Sequence, residues 1–379
     1  AEVAARITGA TGGIFIAGAP DLVIGSAGLS APGAIGLNAT GSIRVPSGGR
    51  IEAGGGVSTT VPIRWSITGT GDTGVGSLRQ VILNANATGV EGIVVFPASP
   101  NVIRVGSSLP AFTTKLAIDG TGAGVTIDGG DTAATGLTLR QGSAGSLVKG
   151  LTVRGFTEYG ILLDTSAGTA VRGVVIQANT NGLRATGALA GTTVTSVTFT
   201  ANRQRGIDLA GAQGLRIEDT IVTGVNSSLS VGLVATGDLA GTKVVGSTFT
   251  GGLRGALLQN AANLVFGELG RGNTLADNRA APDNPGFSGT GIRVEGNLTG
   301  TIIQGNTFDR NNFGLGFVAA TNLRVWNNVF KRNSVAAVYV EGTNAGSALP
   351  TTGAQANTFG TRTDKNKTNF IRARGSRGI

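Results

Sequence analysis

NTFDRNNFGL at residues 306–315 and NNVFKRNSVA at residues 327–336 are two copies of one phrase. An apolar residue is followed three places on by Asn, and three places later by a small residue that opens a new apolar run. With Gly allowed for Asn, and three or four places allowed before the small residue, the same phrase is legible in VVIQANTNGL (174–183), VTFTANRQRGI (197–207) and STFTGGLRGA (247–256). Its small residues are Gly160, Gly182, Gly206, Gly232, Gly255, Gly291, Gly314 and Ala336, with separations of 22, 24, 26, 23, 36, 23 and 22 residues. A period in this range marks a solenoid. Function in such a rod sits on a face, in an inserted loop or at an end.

Each repeat holds two or three short runs rich in Val, Ile, Thr and Phe, bounded by Gly, Asn and Ser, which read as strands. No repeat contains an amphipathic window long enough for a helix. The reading is all-β: a parallel β-helix. Its columns stack Val153, Ile176, Phe199, Val222, Phe249, Leu275, Phe308, Phe330 and Phe359, all apolar. Coils lie about 4.8 Å apart along the hydrogen-bonding direction, so like residues fill one continuous core. Three places on come Asn179, Asn202, Asn278, Asn311 and Asn333, with Gly252 in the same column. Asn and Gly tolerate the left-handed backbone conformation, and Asn side chains bond along a turn. The Asn column is therefore expected at a sharp inward corner rather than as a set of sugar ligands.

The GVTIDGG run at 124–130, these columns and the NNF and NSV corners resemble the right-handed parallel β-helix proteins of the pectate-lyase-like superfamily, over roughly residues 77–370. GSLRQVILNANATGVEGIVVF (76–96) is similar to the opening segment of many bacterial surface β-helix proteins, a short helix and then a strand. Ser77 and Gln80 have capping-box spacing, and Leu78, Val81 and Ile82 form one apolar face. The expectation is a capping helix near 77–88 that plugs the open end of the core. Relatives of that motif often carry Cys where Gly76 stands here. The fold carries enzymes and non-enzymes alike, so it does not decide activity.

The 379 residues include 65 Gly, 13% charged and 5% aromatic residues, a composition of dense turns and narrow coils. Cys, Met and His are absent. That removes disulfides, thiol catalysis and Cys metal sites, and with His the commonest general base and metal ligand. No cofactor or metal site is expected. The chain also lacks the side chains most easily oxidised. Together with an N-terminal Ala1 of the kind a removed leader leaves, this points to a processed extracellular or cell-surface protein. No apolar run is long enough to span a bilayer. The net charge is +9, carried mainly by Arg, which pairs bidentately with carboxylates and phosphates. Surface glycans or a second copy fit better than nucleic acid, because aromatics for base stacking are few. The one dense basic run, Arg372, Arg374 and Arg377, reads as a solvated tail.

Residues 1–65 are Gly- and Ala-rich and lack the period; residues 66–379 carry the β-helix. Ile14, Phe15 and Ile16 are consecutive, so they face both sides of a strand. The segment either packs on its own solenoid or donates a strand to a neighbouring copy. Excursions near 267–290 and 341–357 break the period. Insertions in solenoids often mark the binding face, although a surface loop is also cheaply tolerated.

Enzymes of the resembled fold that act on acidic polysaccharides use clustered carboxylates, or carboxylates with a basic Arg or Lys. The weak candidate here is Asp128 and Asp131 with Arg154 about one coil later; Asp164 and Arg184 are similarly offset, Asp208 is not assigned to the column of Asp164, and no three acids stack. A flat Thr array at 192–200 and 247–250 is interrupted by Asp219, Gln304 and Asn328. The first expectation is a non-enzymatic structural or adhesive protein, with head-to-tail self-association into a filament or surface layer through an exposed coil edge. The alternative is a lyase or hydrolase acting on an acidic glycan.

Overall fold

Short strands such as Thr193–Thr195 and Thr198–Thr200 bury their middle residue and leave both Thr half-buried. Strands this short cannot stand alone; they persist because the same run recurs one coil away and pairs with it in parallel. The computed structural model describes residues 2–6, 12–46, 48–97, 102–224, 230–279, 289–351, 353–359 and 371–377. Their strands form three parallel sheets of 16, 11 and 10 members. The first sheet runs from Glu2–Arg6 to Arg324–Trp326, the second from Val102–Arg104 to Thr358–Phe359, and the third from Thr135–Leu139 to Ile371–Arg377. The expected parallel β-helix is what the chain adopts.

Register is strict in the second sheet. Val153, Ile176, Phe199, Val222, Phe249, Leu275, Phe308, Phe330 and Phe359 pair in succession. Phe308 and Phe330 stack at 4.6 Å between ring centroids and 6° between planes, and Phe330 and Phe359 at 5.2 Å and 10°. The third sheet runs beside these rings. A Cβ on Gly291 would lie 2.5 Å from the Gly314 carbonyl oxygen and 2.8 Å from Phe308 Cδ1. The glycine column therefore exists for space. Its eighth member is Ala337 rather than Ala336: Phe313 pairs with Ala336, which places Gly314 opposite Ala337. The last coil carries one more residue between Asn333 and its strand.

The Asn column is the inward ladder expected at a sharp corner, but the Asn are not its left-handed residues. The left-handed residues are those just before the Asn: Ala178, Ala201, Asp277, Arg310 and Arg332, with φ between 53° and 55°. The Asn side chain instead turns inward. Asn311 Nδ2 donates to the Leu275 carbonyl at 2.8 Å, and its Oδ1 accepts from the Asn278 backbone N–H at 3.1 Å and the Asn278 side chain at 3.0 Å. Asn179, Asn202 and Asn333 repeat the pattern. A second buried ladder, Asn273, Asn306, Asn328 and Asn357, does the same at another corner.

The helix Leu78–Thr88 begins at Ser77, whose side chain accepts from Gln80 N–H, and buries Leu78, Val81, Ile82 and Ala85. It closes the core where the second and third sheets have not begun. It is not the end of the rod, because strands Ile14–Ala31, Ile35–Val45 and Ile63–Ser66 continue the first sheet past it. Leu22, Ile24, Leu29, Ile35, Leu37 and Ile43 there join the same apolar core. The segment Ile371–Arg377, expected as a solvated tail, is a strand paired with Ala336–Thr343. The excursion at 341–357 returns to the core through buried Asn344 and Asn357; residues 280–288 of the other lie outside the described residues.

Asn311→Ala leaves a buried carbonyl and N–H unpaired, and is expected to cost about 2–4 kcal/mol in urea unfolding. A loss below about 0.5 kcal/mol would remove the ladder from the account. Gly291→Ala is expected to cost about 1–3 kcal/mol through overpacking against Phe308 and the next coil.

Candidate functional site on the third sheet

Three columns of the third sheet face outward: alternation separates the second from the third, while two successive buried residues, as at Gly160 and Ile161, separate the first from the second. The first holds Tyr159, Asn181, Arg205, Val231, Arg254, Thr290 and Phe313. The next holds Leu162, Arg184, Asp208, Val234, Leu257, Arg293, Gly316 and Tyr339. The last holds Asp164, Thr186, Ala210, Thr236, Gln259, Glu295 and Val318. Both tyrosines of the chain are on this face.

Asp208 is the centre of the face and only 2% exposed. Its Oδ2 accepts from Arg184 Nη1 at 3.0 Å and lies 3.0 Å from Arg205 Nη1. Arg184 Nη1 also donates to the Tyr159 hydroxyl at 3.1 Å, with the guanidinium carbon 5.6 Å above that ring. Burial works against the Arg184 charge, but Tyr159 and Asp208 outweigh it and hold its pKa above the usual arginine value. Beside this cluster is an open cleft of about 350 Å³, lined by Arg184, Arg205, Asp208, Val231, Val234 and Leu257 among others.

The chemistry available here is recognition of anions. Carboxylate-pair hydrolysis needs one carboxyl held protonated and a second one close across the scissile bond. Asp208 is clamped by two guanidinium groups. Asp164 lies in another column and two coils away. Among the described residues no three His, Cys, Asp or Glu side chains converge as a metal site.

The residues singled out from sequence lie elsewhere. Asp128 and Arg154 pair directly across adjacent coils of the second sheet, Oδ2 to Nη2 at 2.8 Å. Asp128 Oδ1 also accepts from the Gly130 N–H at 3.0 Å. Asp131 is left-handed at φ 58° and pairs with Arg203 at 2.7 Å, so the three do not form one site. The same use of acids recurs along the rod: Asp119 with Lys149, Asp277 with Arg310, Asp309 with Arg332, and Glu218 with Arg271. Ile14 is buried, Ile16 packs on the core, and Phe15 stands outward at 76% exposure, over Gly36. Sequence reading missed the Tyr159, Arg205, Arg254 and Arg293 positions. For Tyr159, Arg205 and Arg254 the signal was present: the first outward column is the residue just before each repeat glycine from Gly160 to Gly314.

Comparison with known proteins agrees with the architecture. Residues 190–371 match the family model described as right handed beta helix region. No curated protein matches the chain. Among solved structures, a mutant of the periplasmic alginate epimerase AlgG is similar at 11% identity and a TM-score of 0.42, over 92% of this chain and 77% of that one. Dettilon tailspike protein is similar at 12% and 0.49, over 88% of this chain and 61% of that one. The lidless DFA-IIIase of Arthrobacter chlorophenolicus, in complex with GF2, is similar at 15% and 0.41, over 89% of each. At TM-scores below 0.5 these likenesses carry no argument about this chain. With its three parallel sheets, in-register coils and matched C-terminal region, the chain is a right-handed parallel β-helix.

Proposed function

We propose that this chain is an extracellular β-helix protein that binds acidic glycans on the outer face of its third sheet without cleaving them. The observation that carries the reading is the state of Asp208. The buried carboxylate of the face is spent on two guanidinium groups, so the face offers excess cation and apolar surface, not a free acid or base. Arg groups match carboxylates and sulfates bidentately. The apolar rung of Val231 and Val234 suits the less polar face of a sugar ring. The net charge of +9 favours encounter with polyanions.

Bond cleavage is the second reading, and one contact favours it. The Tyr159 hydroxyl lies 3.1 Å from Arg184 Nη1, and a positioned Tyr is among the side chains that take a proton in general-base chemistry, as β-elimination from a uronate requires. Self-association is a separate part of the proposal. It draws on Phe15, a large apolar side chain left exposed at the N-terminal end of the rod.

Calorimetry against polymannuronate and neutral cellulose oligomers tests the binding. Acid-selective binding is expected, falling about tenfold in Arg205→Gln, with no unsaturated product or new reducing ends. Turnover that Tyr159→Phe abolishes would replace the binding reading with the second one. For association, Phe15→Ser is the informative change, since truncating residues 1–30 would also remove core residues Leu22, Ile24 and Leu29. Sedimentation is expected to show oligomers for the parent chain and monomers for Phe15→Ser; a monomeric parent would end that part of the proposal.

A further inference from the structure

Two clusters of the same composition flank one apolar rung of the third sheet. Arg184, Arg205 and Asp208 lie on one side; Arg254, Arg293 and Glu295 lie on the other. Counted over the described residues, each has two guanidinium groups against one carboxylate. Val231 and Val234, on the strand Val231–Asp238, come between them, and the register runs Arg205, Val231, Arg254 without a slip. Two coil steps put the Arg205 and Arg254 backbones about 10 Å apart along the rod.

The clusters differ in how they are satisfied. Arg205 is paired with Asp208. In the other cluster Glu295 is taken by the Arg293 Nε and, at 3.2 Å, by the Gln259 amide. Arg254 is left over: its Nε is buried with no hydrogen-bond partner, and its guanidinium makes no ion pair with a described residue. Burial, then the like charge of Arg293, push its pKa down, with Glu295 pulling the other way. A half-buried cation in this state costs free energy that an arriving counter-charge would recover.

We propose that Arg205 and Arg254 form a two-point register for a ligand carrying oxyanion groups about 10 Å apart, with a sugar ring lying on Val231 and Val234 between them. The ligand class is an extended acidic oligosaccharide running along the rod. A pyranose linked through opposite carbons advances its chain by roughly one coil spacing. Successive rings turn over, so every second anionic group faces the protein, in step with every second coil. The inference rests on the third sheet being a glycan face and adds which residues set the spacing. Carboxylate and sulfate share the required chemistry.

The test is calorimetry with β-(1→4)-linked tetramannuronate, with cellotetraose sulfated at its primary hydroxyls, and with neutral cellotetraose. Arg205→Gln and Arg254→Gln are each expected to weaken the better anionic tetramer about tenfold, and the double variant about a hundredfold. Preference for one anionic tetramer identifies the oxyanion. If Arg254→Gln stays within twofold of the parent while Arg205→Gln does not, the register is wrong and the glycan face stands. If neither anionic tetramer binds the parent chain, the face itself is wrong and the register falls with it. Melting supplies a second readout. Ligand-free Arg254→Gln is expected to melt no lower than the parent, because it removes an unpaired cation. A drop of several degrees would mean that the fold already supplies a partner for Arg254, and would overturn the proposal.

Discussion

Parallel hydrogen bonding between coils fixes one distance, the step of about 4.8 Å from each coil to the next, and the rest of the molecule is built on that step. Because the register does not slip in the second sheet, a side chain meets its own kind one step away. Phe meets Phe at stacking distance. Asn meets Asn so that each amide closes the corner of the coil before it. The glycine column follows, since the third-sheet backbone must approach the Phe rings more closely than a Cβ allows.

The same step governs the charges. An acid on one coil meets a base on the next, as in Asp128 with Arg154 and Asp119 with Lys149. Such pairs are worth little individually where exposed, but they occupy the acids that a hydrolytic site would need. The third sheet departs from this pattern. Arg184 and Arg205 share one carboxylate there, and Arg254 has none among the described residues. Under the proposed function, this excess of cation is what reads a periodic polyanion.

The inward residues were legible in the sequence because the core imposes one chemistry on each column. Phe199, Phe249, Phe308 and Phe330 announce their register even across the 33-residue step from Leu275 to Phe308. The second Asn ladder was harder to see, since Asn273, Asn306, Asn328 and Asn357 are spaced 33, 22 and 29 residues apart and sit among other polar residues. The outward columns were least legible. Tyr159, Asn181, Arg205, Val231 and Arg254 share a column but no chemistry, so only an exact register assembles them into a face. A one-residue error, such as the one at Ala336, sends a side chain to the opposite side of a strand. Asp128, Asp131 and Arg154 looked like a site because they are close in sequence and coil; the structure uses them as ion pairs.

Under the proposed function, the coil step sets the spacing at which this rod reads its ligand. The measurement that tests this most directly is a crystal structure of the chain with tetramannuronate bound. The account predicts a chain lying parallel to the rod axis, a ring over Val231 and Val234, and two carboxylates within hydrogen-bond distance of the Arg205 and Arg254 guanidinium groups. A tetramer lying across the sheet, or one whose carboxylates reach Arg205 but leave Arg254 unpaired, would contradict it.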